Sequence, residues 1–333
     1  MSRKIVAALI AVVCIAMPDY IQAAKAKNRT FQMSYTVKVK GIPSDAKDVD
    51  VWLPYPTNDE AQEILEMNVK SPYPTKVNYD KEFGNGILYV KPMPGAEDFE
   101  VKMTFKVKRD EIRNKKLKNS SANLGDMGPY YRYLTPSKYA VINDTLKKFA
   151  AQATKGKRGN VAKAKGAYDF ILDKMAYNKS IPGWGKGDVN RLCLTISGGK
   201  EGTGNCTDFH SFFGSIMRTQ GIPVVFEMGF PLKPGKDQVA PKKGGYHCWA
   251  KFYVPGKGWV PVDISEADKD PKKTDYFFGS ICENRVKFSR GRDILLEPNQ
   301  RGGRLNYFGP DPYIEVDGVS FNGFERTIAY KDI

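Results

Sequence analysis

Histidine is the scarcest residue of this chain: only His210 and His247 occur in 333 residues. If the chemistry uses an imidazole as its base, the choice is between two. Cysteine is thin as well. Of the five cysteines, Cys14 lies in the N-terminal apolar run, which leaves Cys193, Cys206, Cys248 and Cys282. If Cys206 must stay free, three are left and at least one of those is also unpaired. The chain is therefore not a disulfide-stapled scaffold, and a Cys193–Cys282 bridge is left open.

Long apolar runs are missing after the N-terminus. Ile5 to Met17 is apolar for 13 residues, whereas a membrane-spanning helix needs about 20. The basic start Ser2-Arg3-Lys4, the break at Pro18 and the small residues Ala23, Ala24 and Ala26 make residues 1–23 a cleaved export signal, with an uncleaved anchor as the rival. Val13 before Cys14 argues against a lipid-anchored cysteine. The mature protein is expected to be exported, periplasmic or extracellular, with no integral membrane segment. Acidic residues are in deficit, 37 against 52 basic, for a net charge of +15. That balance admits an anionic partner. Yet the one dense basic run, Lys102 to Lys118, lacks the interleaved aromatics of a single-strand binder, and no nucleic-acid motif accompanies it. The run is expected to be a solvated face and linker, with weak attraction to an anionic envelope surface as the lesser alternative, and no nucleic-acid partner is expected. Low-complexity tracts and fixed-period repeats are absent too.

What is present divides the chain in two. From Phe31 to Arg113, period-two segments such as Phe31-Gln-Met-Ser-Tyr-Thr-Val and Phe99-Glu-Val-Lys-Met-Thr-Phe alternate with turn clusters such as Gly41-Ile-Pro-Ser-Asp. This predicts a small β-sandwich over 28–113. Residues 114–128 are polar and read as a linker. After Pro136 the period becomes helical, and strands return from Val224 onward, so 129–333 reads as an α+β core domain with a C-terminal β extension. In Gly204-Asn-Cys-Thr-Asp-Phe-His-Ser-Phe-Phe, the residues Phe209, Phe212, Phe213, Ile216 and Met217 form one buried helical stripe. Asn205 is placed as N-cap, with Asp208 returning a bond to the cap, so Cys206 takes the first helical position.

A thiol at a helix start feels the positive end of the macrodipole, which favours thiolate. Asp208 works against this. His210, four residues on, lies inside the helix and is expected to be structural. His247 opens a strand after the loop Lys242-Lys-Gly-Gly-Tyr, a suitable place for a base. Folding the chain at Pro255 brings His247 beside Asp263, which can then fix the imidazole tautomer. Cys248 is expected to face the core, opposite His247, and Trp249 to wall the site. The bland readings are a packing cysteine and a surface His–Asp pair. A metal site built from Cys206, Asp208, His210, His247 and Cys248 is the chemical rival, but adjacent strand residues point to opposite faces and no second matching pair completes it.

Three blocks, Gly204-Asn-Cys-Thr-Asp-Phe with Gly221-Ile-Pro, Tyr246-His-Cys-Trp-Ala, and Gly258-Trp-Val-Pro-Val-Asp, occur in the order found in the transglutaminase-like superfamily, a branch of the papain-like thiol enzymes. Residues 136–270 resemble that family. Asn284-Arg-Val-Lys-Phe-Ser-Arg-Gly-Arg-Asp resembles its bacterial exported members. The resemblance implies a papain-like α+β core preceded by the β-sandwich, with Cys206 as nucleophile, His247 as base and acid, and Asp263 as orienting carboxylate. It also implies a side-chain oxyanion donor, for which Trp184 and Asn190 are the candidates beside the Cys206 backbone N–H. No cofactor is implied. The expected substrate is a protein or peptide amide, with peptidase or deamidase chemistry ahead of cross-linking. The alternative is a catalytically inactive fold that binds protein or cell-wall peptide.

Overall fold

The computed structural model describes residues 26–114, 116–119, 128–235, 237–239 and 245–333. The export signal expected at 1–23 lies outside them, as do Lys242, Lys243 and Gly244, and the 114–128 linker is described only in part. In chain order the principal elements are β1 (Asn28–Val39), β2 (Val49–Tyr55), β3 (Gln62–Lys70), β4 (Thr75–Tyr79), β5 (Gly86–Val90), β6 (Phe99–Asp110), α1 (Asp144–Ala153), α2 (Asn160–Lys174), α3 (Val189–Ser197), α4 (Cys206–Thr219), β7 (Val224–Pro231), β8 (His247–Val254), β9 (Gly258–Val262), α5 (Ile264–Lys269), β10 (Arg285–Arg290), β11 (Tyr313–Val316) and β12 (Phe324–Asp332). No helix of the described residues is long and apolar enough to cross a membrane.

The alternation in the N-terminal half produces two sheets around one core. Phe31, Met33, Tyr35 and Val37 of β1 and Val101, Met103, Phe105 and Val107 of β6 point inward against Val51 and Leu53 of β2 and Leu88 and Val90 of β5. Strand β2 does not alternate, because its outer face is covered too: Trp52 is buried with Tyr89, Ile294, Leu296 and Phe308.

The C-terminal strands redraw the expected division. β12 pairs antiparallel with β1 from Phe31↔Asp332 to Val39↔Phe324, and β11 pairs with β2 from Tyr313↔Trp52 to Val316↔Val49. Residues 313–332, expected as an extension of the core domain, instead complete both N-terminal sheets. The physical reason is an edge. Without β12, the twelve-residue β1 would present a long row of unpaired backbone groups along one side. β12 offers a matching inward set, Arg326, Ile328 and Tyr330.

The remainder is α+β. Helix α4 is buried from Cys206 to Met217, because its aromatic stripe is enclosed by α1, α2 and α3 on one side and by strands on the other. The strands form an antiparallel sheet in the order β9-β8-β7-β10. One face carries α4. From the other, Phe230, Leu232, Val286 and Phe288 join the sandwich core. The sandwich thus backs the sheet that holds His247. Two buried lysines reinforce the junction: Lys251 Nζ lies 2.6 Å from Oε1 of the exposed Glu60 and 3.0 Å from Glu227 Oε1, and Lys287 Nζ lies 2.7 Å from Asp59 Oδ2.

Candidate active site

Cys206 begins α4, with Asn205 as N-cap. Asn205 Oδ1 accepts from Thr207 N at 2.9 Å, and Asp208 Oδ2 accepts from Asn205 N at 3.0 Å, which closes the capping box. Gly204 is required by close approach, since a Cβ there would stand 2.4 Å from the Asp208 side chain. Asp208 does more than cap. Its Oδ2 also accepts from Gly185 N at 2.7 Å, and its Oδ1 accepts from Gly187 N at 3.1 Å and Arg191 Nη2 at 3.2 Å. Its charge is thus spent on the loop before α3, which answers the concern that it opposes a thiolate. Asp208→Ala would strand these donors in a buried place, and we expect a loss of about 3–5 kcal/mol in urea unfolding. A loss under about 1 kcal/mol would mean that the loop is held by other contacts.

His247 opens β8 and is nearly buried. Its Nε2 donates to Asp263 Oδ2 at 2.7 Å, which leaves Nδ1 free of that carboxylate, and the Cys206 thiol feels the charge of the ring. The Asp263 contact does not come from the expected register. The ladder pairs Val254↔Gly258 and Ala250↔Val262, so the turn centres on Gly256, not Pro255. Asp263 leaves the ladder after Val262 and becomes the N-cap of α5, its Oδ1 accepting from Glu266 N at 3.2 Å. The cap geometry turns its other oxygen to the imidazole.

Electrostatics separates the thiols. Burial alone would push the Cys206 thiol up, but hydrogen bonds from Cys248 and His247 and the charge of His247 outweigh it, holding Cys206 well below the ordinary range. Burial likewise pulls His247 down, yet the Asp263 carboxylate and the Cys206 thiolate push it up to about 10. Asp263 is held far below the usual carboxylate range because His247 and Arg285 overcome its burial. Burial pushes Cys193 up to about 11. Cys248 is pushed well above its ordinary value by burial and by its neighbour Cys206. The shifts run toward thiolate at Cys206 and toward imidazolium at His247.

His210 is occupied elsewhere. Its Nδ1 donates to the Cys206 carbonyl at 2.8 Å, and its Nε2 accepts from Ile264 N at 3.0 Å. Such a ring is neutral, and burial first among the causes lowers it to about 4. Both of its nitrogens are thus committed to backbone. Cys248 is fully buried. It faces away from His247, but that face of β8 lies under the start of α4, so its Sγ sits 3.7 Å from Thr207 Oγ1 and 3.8 Å from His210 Nδ1, in one cluster with Cys206.

Trp249 is fully buried with its ring 6.0 Å from that of His247, and its Nε1 donates to Glu227. Trp184 is 39% exposed, with Lys179 Nζ 5.6 Å from its ring centre. Asn190 is exposed on α3, and its Oδ1 accepts from Asn143 Nδ2 at 2.7 Å. Sequence reasoning did not single out Tyr246, whose hydroxyl accepts from Asn205 Nδ2 at 2.7 Å. It also missed Arg285 and Arg292. Arg285 Nη1 donates to Asp263 Oδ2 at 2.9 Å, and Arg292 Nη2 donates to Lys186 O at 2.9 Å.

Residues 147–264 match the model of the transglutaminase-like superfamily. An uncharacterised protein of Haemophilus influenzae is 28% identical over 311 residues, which span 83% of either chain. The crystal structure of a candidate cysteine protease from Cytophaga hutchinsonii is similar at TM-score 0.60 and 16% identity, covering 92% of this chain and 91% of that one. The structural likeness covers the β-rich part as well as the core.

Proposed function

With residues 147–264 a transglutaminase-like core in a papain-like fold, we propose that this protein is a thiol enzyme that transfers the acyl group of a protein or peptide amide, with water as the main acceptor. The reading rests on one observation above the others. A buried thiol at a helix start feels the charge of an imidazole whose Nε2 is bonded to a buried carboxylate at 2.7 Å.

In this reading the Cys206 Sγ attacks the amide carbon, and the Cys206 backbone N–H stabilises the resulting oxyanion. His247 Nδ1–H protonates the departing nitrogen as the C–N bond breaks, leaving a thioester. The neutral His247 then takes a proton from water, whose oxygen displaces Sγ and releases the acid. Asp263 keeps a proton on Nε2 throughout. An amine in place of water would give a cross-link, so the fate of the thioester separates hydrolase from transglutaminase. Export to the periplasm or beyond, where peptides of the envelope are the available substrates, belongs to the same proposal.

The test is chemical and needs no known substrate. Iodoacetamide near neutral pH is expected to alkylate Cys206 at least about 10-fold faster than Cys193, Cys248 or Cys282, as read by peptide mass spectrometry. Equal rates at the four thiols would sink the proposal. A panel that scores peptide cleavage, ammonia release and amine incorporation then assigns the acceptor.

A further inference from the structure

The basic segment Asn284-Arg-Val-Lys-Phe-Ser-Arg-Gly-Arg-Asp plays no part in the reaction as written above, yet its first arginine reaches the site. Arg285 is 2% exposed at the start of edge strand β10. Its Nη1 donates to Asp263 Oδ2 at 2.9 Å, the oxygen that also takes the His247 proton at 2.7 Å. Its Nη2 donates to Cys282 Sγ at 3.4 Å, and its guanidinium carbon lies 4.8 Å from the Trp249 ring centre. Trp249 is itself pinned by its bond to Glu227, which Lys251 holds at 3.0 Å. A planar cation is clamped between an aromatic wall, a sulfur and the carboxylate.

We infer that Arg285 is a positioning residue of the reaction, the fourth member of a buried Cys206–His247–Asp263–Arg285 relay whose charges sum to zero. This rests on the Cys206–His247–Asp263 reading above. The four charges balance at each stage. In the resting ion pair, thiolate and imidazolium cancel, and carboxylate and guanidinium cancel. When His247 gives its proton to the leaving nitrogen, the thiolate has become a thioester and Asp263 remains balanced by Arg285. Without Arg285, every stage would carry one uncompensated negative charge in a dry site, which is costly. The guanidinium cannot deprotonate in the working range, so it serves both protonation states of His247. By sharing Oδ2 it also fixes which carboxylate oxygen meets Nε2, and hence the plane of the ring.

The charged and titratable groups around the pair are few. His210 and Cys248 face Cys206 from α4 and β8. Tyr177, Tyr246, Tyr307 and Lys269 also feel the thiolate, and His210, 3.8 Å from Asp263 Oδ1, and Tyr168 feel the carboxylate. Of these, Lys269 is the one fixed cation, and it is neutralised by Glu266 Oε1 at 2.8 Å. Arg285 is thus the guanidinium bonded directly to the dyad.

The experiment is the pH profile of Cys206 alkylation by iodoacetamide, with circular dichroism as the fold control. Wild type, Arg285→Met, Arg285→Gln and Arg285→Lys are compared. Loss of the cation disfavours the thiolate and favours the imidazolium. Both limbs of the profile should therefore move to higher pH, by about one unit or more, in the Met and Gln variants. The Lys variant keeps the charge and should stay within a few tenths of a unit of wild type. A purely structural role would lower the rate at every pH with the midpoints unmoved. That result, or a Lys variant displaced as far as Met, overturns the inference. The fold-retaining member of the Met and Gln pair suffices for the reading. Failure of Cys206 to react selectively in wild type would instead strike the proposed function.

Discussion

Cys206→Ala is expected to lower amide turnover by about 10⁶-fold and to leave the protein folded. The fall is large because the thiolate opens the reaction and nothing nearby replaces it. Cys248 is in the same cluster but is held as a thiol by burial, and it faces away from His247. The fold should survive because the helix start is secured by backbone groups, Asn205 and Asp208, not by Sγ. The variant has a second signature. The thiolate is one of the groups that hold His247 up at about 10. Its removal should lower the imidazole pKa, visible as an earlier titration of the ring protons in NMR. Turnover within about 10-fold of wild type in a folded variant would end the nucleophile assignment.

Asp263→Asn should cost about 10⁴-fold in turnover, by a different route. The amide oxygen can still accept from His247 Nε2, but it carries no charge to stabilise the imidazolium. If the amide nitrogen faces the ring, Nε2 must accept, and the proton moves to Nδ1, where the neutral ring can no longer act as base toward water. Asp263 is the largest of the influences that raise His247, so the ring should titrate lower. The Arg285 guanidinium would also lose its carboxylate in a site that is 0% exposed at residue 263, with an expected stability loss of about 3–5 kcal/mol. Linkage gives the sign at high pH. The folded pKa of His247, about 10, exceeds its ordinary 6.5. This stabilisation is therefore full below pH 6.5 and is lost as pH rises through about 10. The Cys206 thiol, held below its ordinary 9.0, contributes with the opposite sign up to that value, so wild type should lose stability mainly above about pH 9 and Asp263→Asn less, as followed by urea unfolding at several pH values.

How much of this was legible beforehand differs from residue to residue. Cys206 at a helix start was readable because glycine, an N-cap and an apolar stripe are all local signals, and the capping box of Asn205 and Asp208 is formed as those signals required. The β-rich first part and the papain-like core were readable from the change of period and from the three-block resemblance. Asp263 was named by a fold-over of the strands, yet its approach to His247 comes from its role as a helix cap. That geometry depends on where the ladder stops, which no pattern of alternation specifies. Cys248 was placed on the correct face, but its neighbours were not foreseen, since they belong to the helix that lands there. Arg285 carried no signal of its own. One arginine in a basic segment looks like surface until β10 pairs with β7 and turns it inward. The pairing of β12 with β1 was invisible for a similar reason, since partners so far apart leave no local trace.

That last pairing has a temporal side. Residue 31 receives its neighbour, residue 332, only after about 300 more residues have been made, some 15–60 s at ordinary elongation rates. Until then β1 has a bare edge, the sandwich is unfinished, and the sheet bearing His247 lacks its completed backing. Helix α4 emerges well before β12. A chain wired in this way leaves the backing of the sheet that carries His247 to be completed by β12.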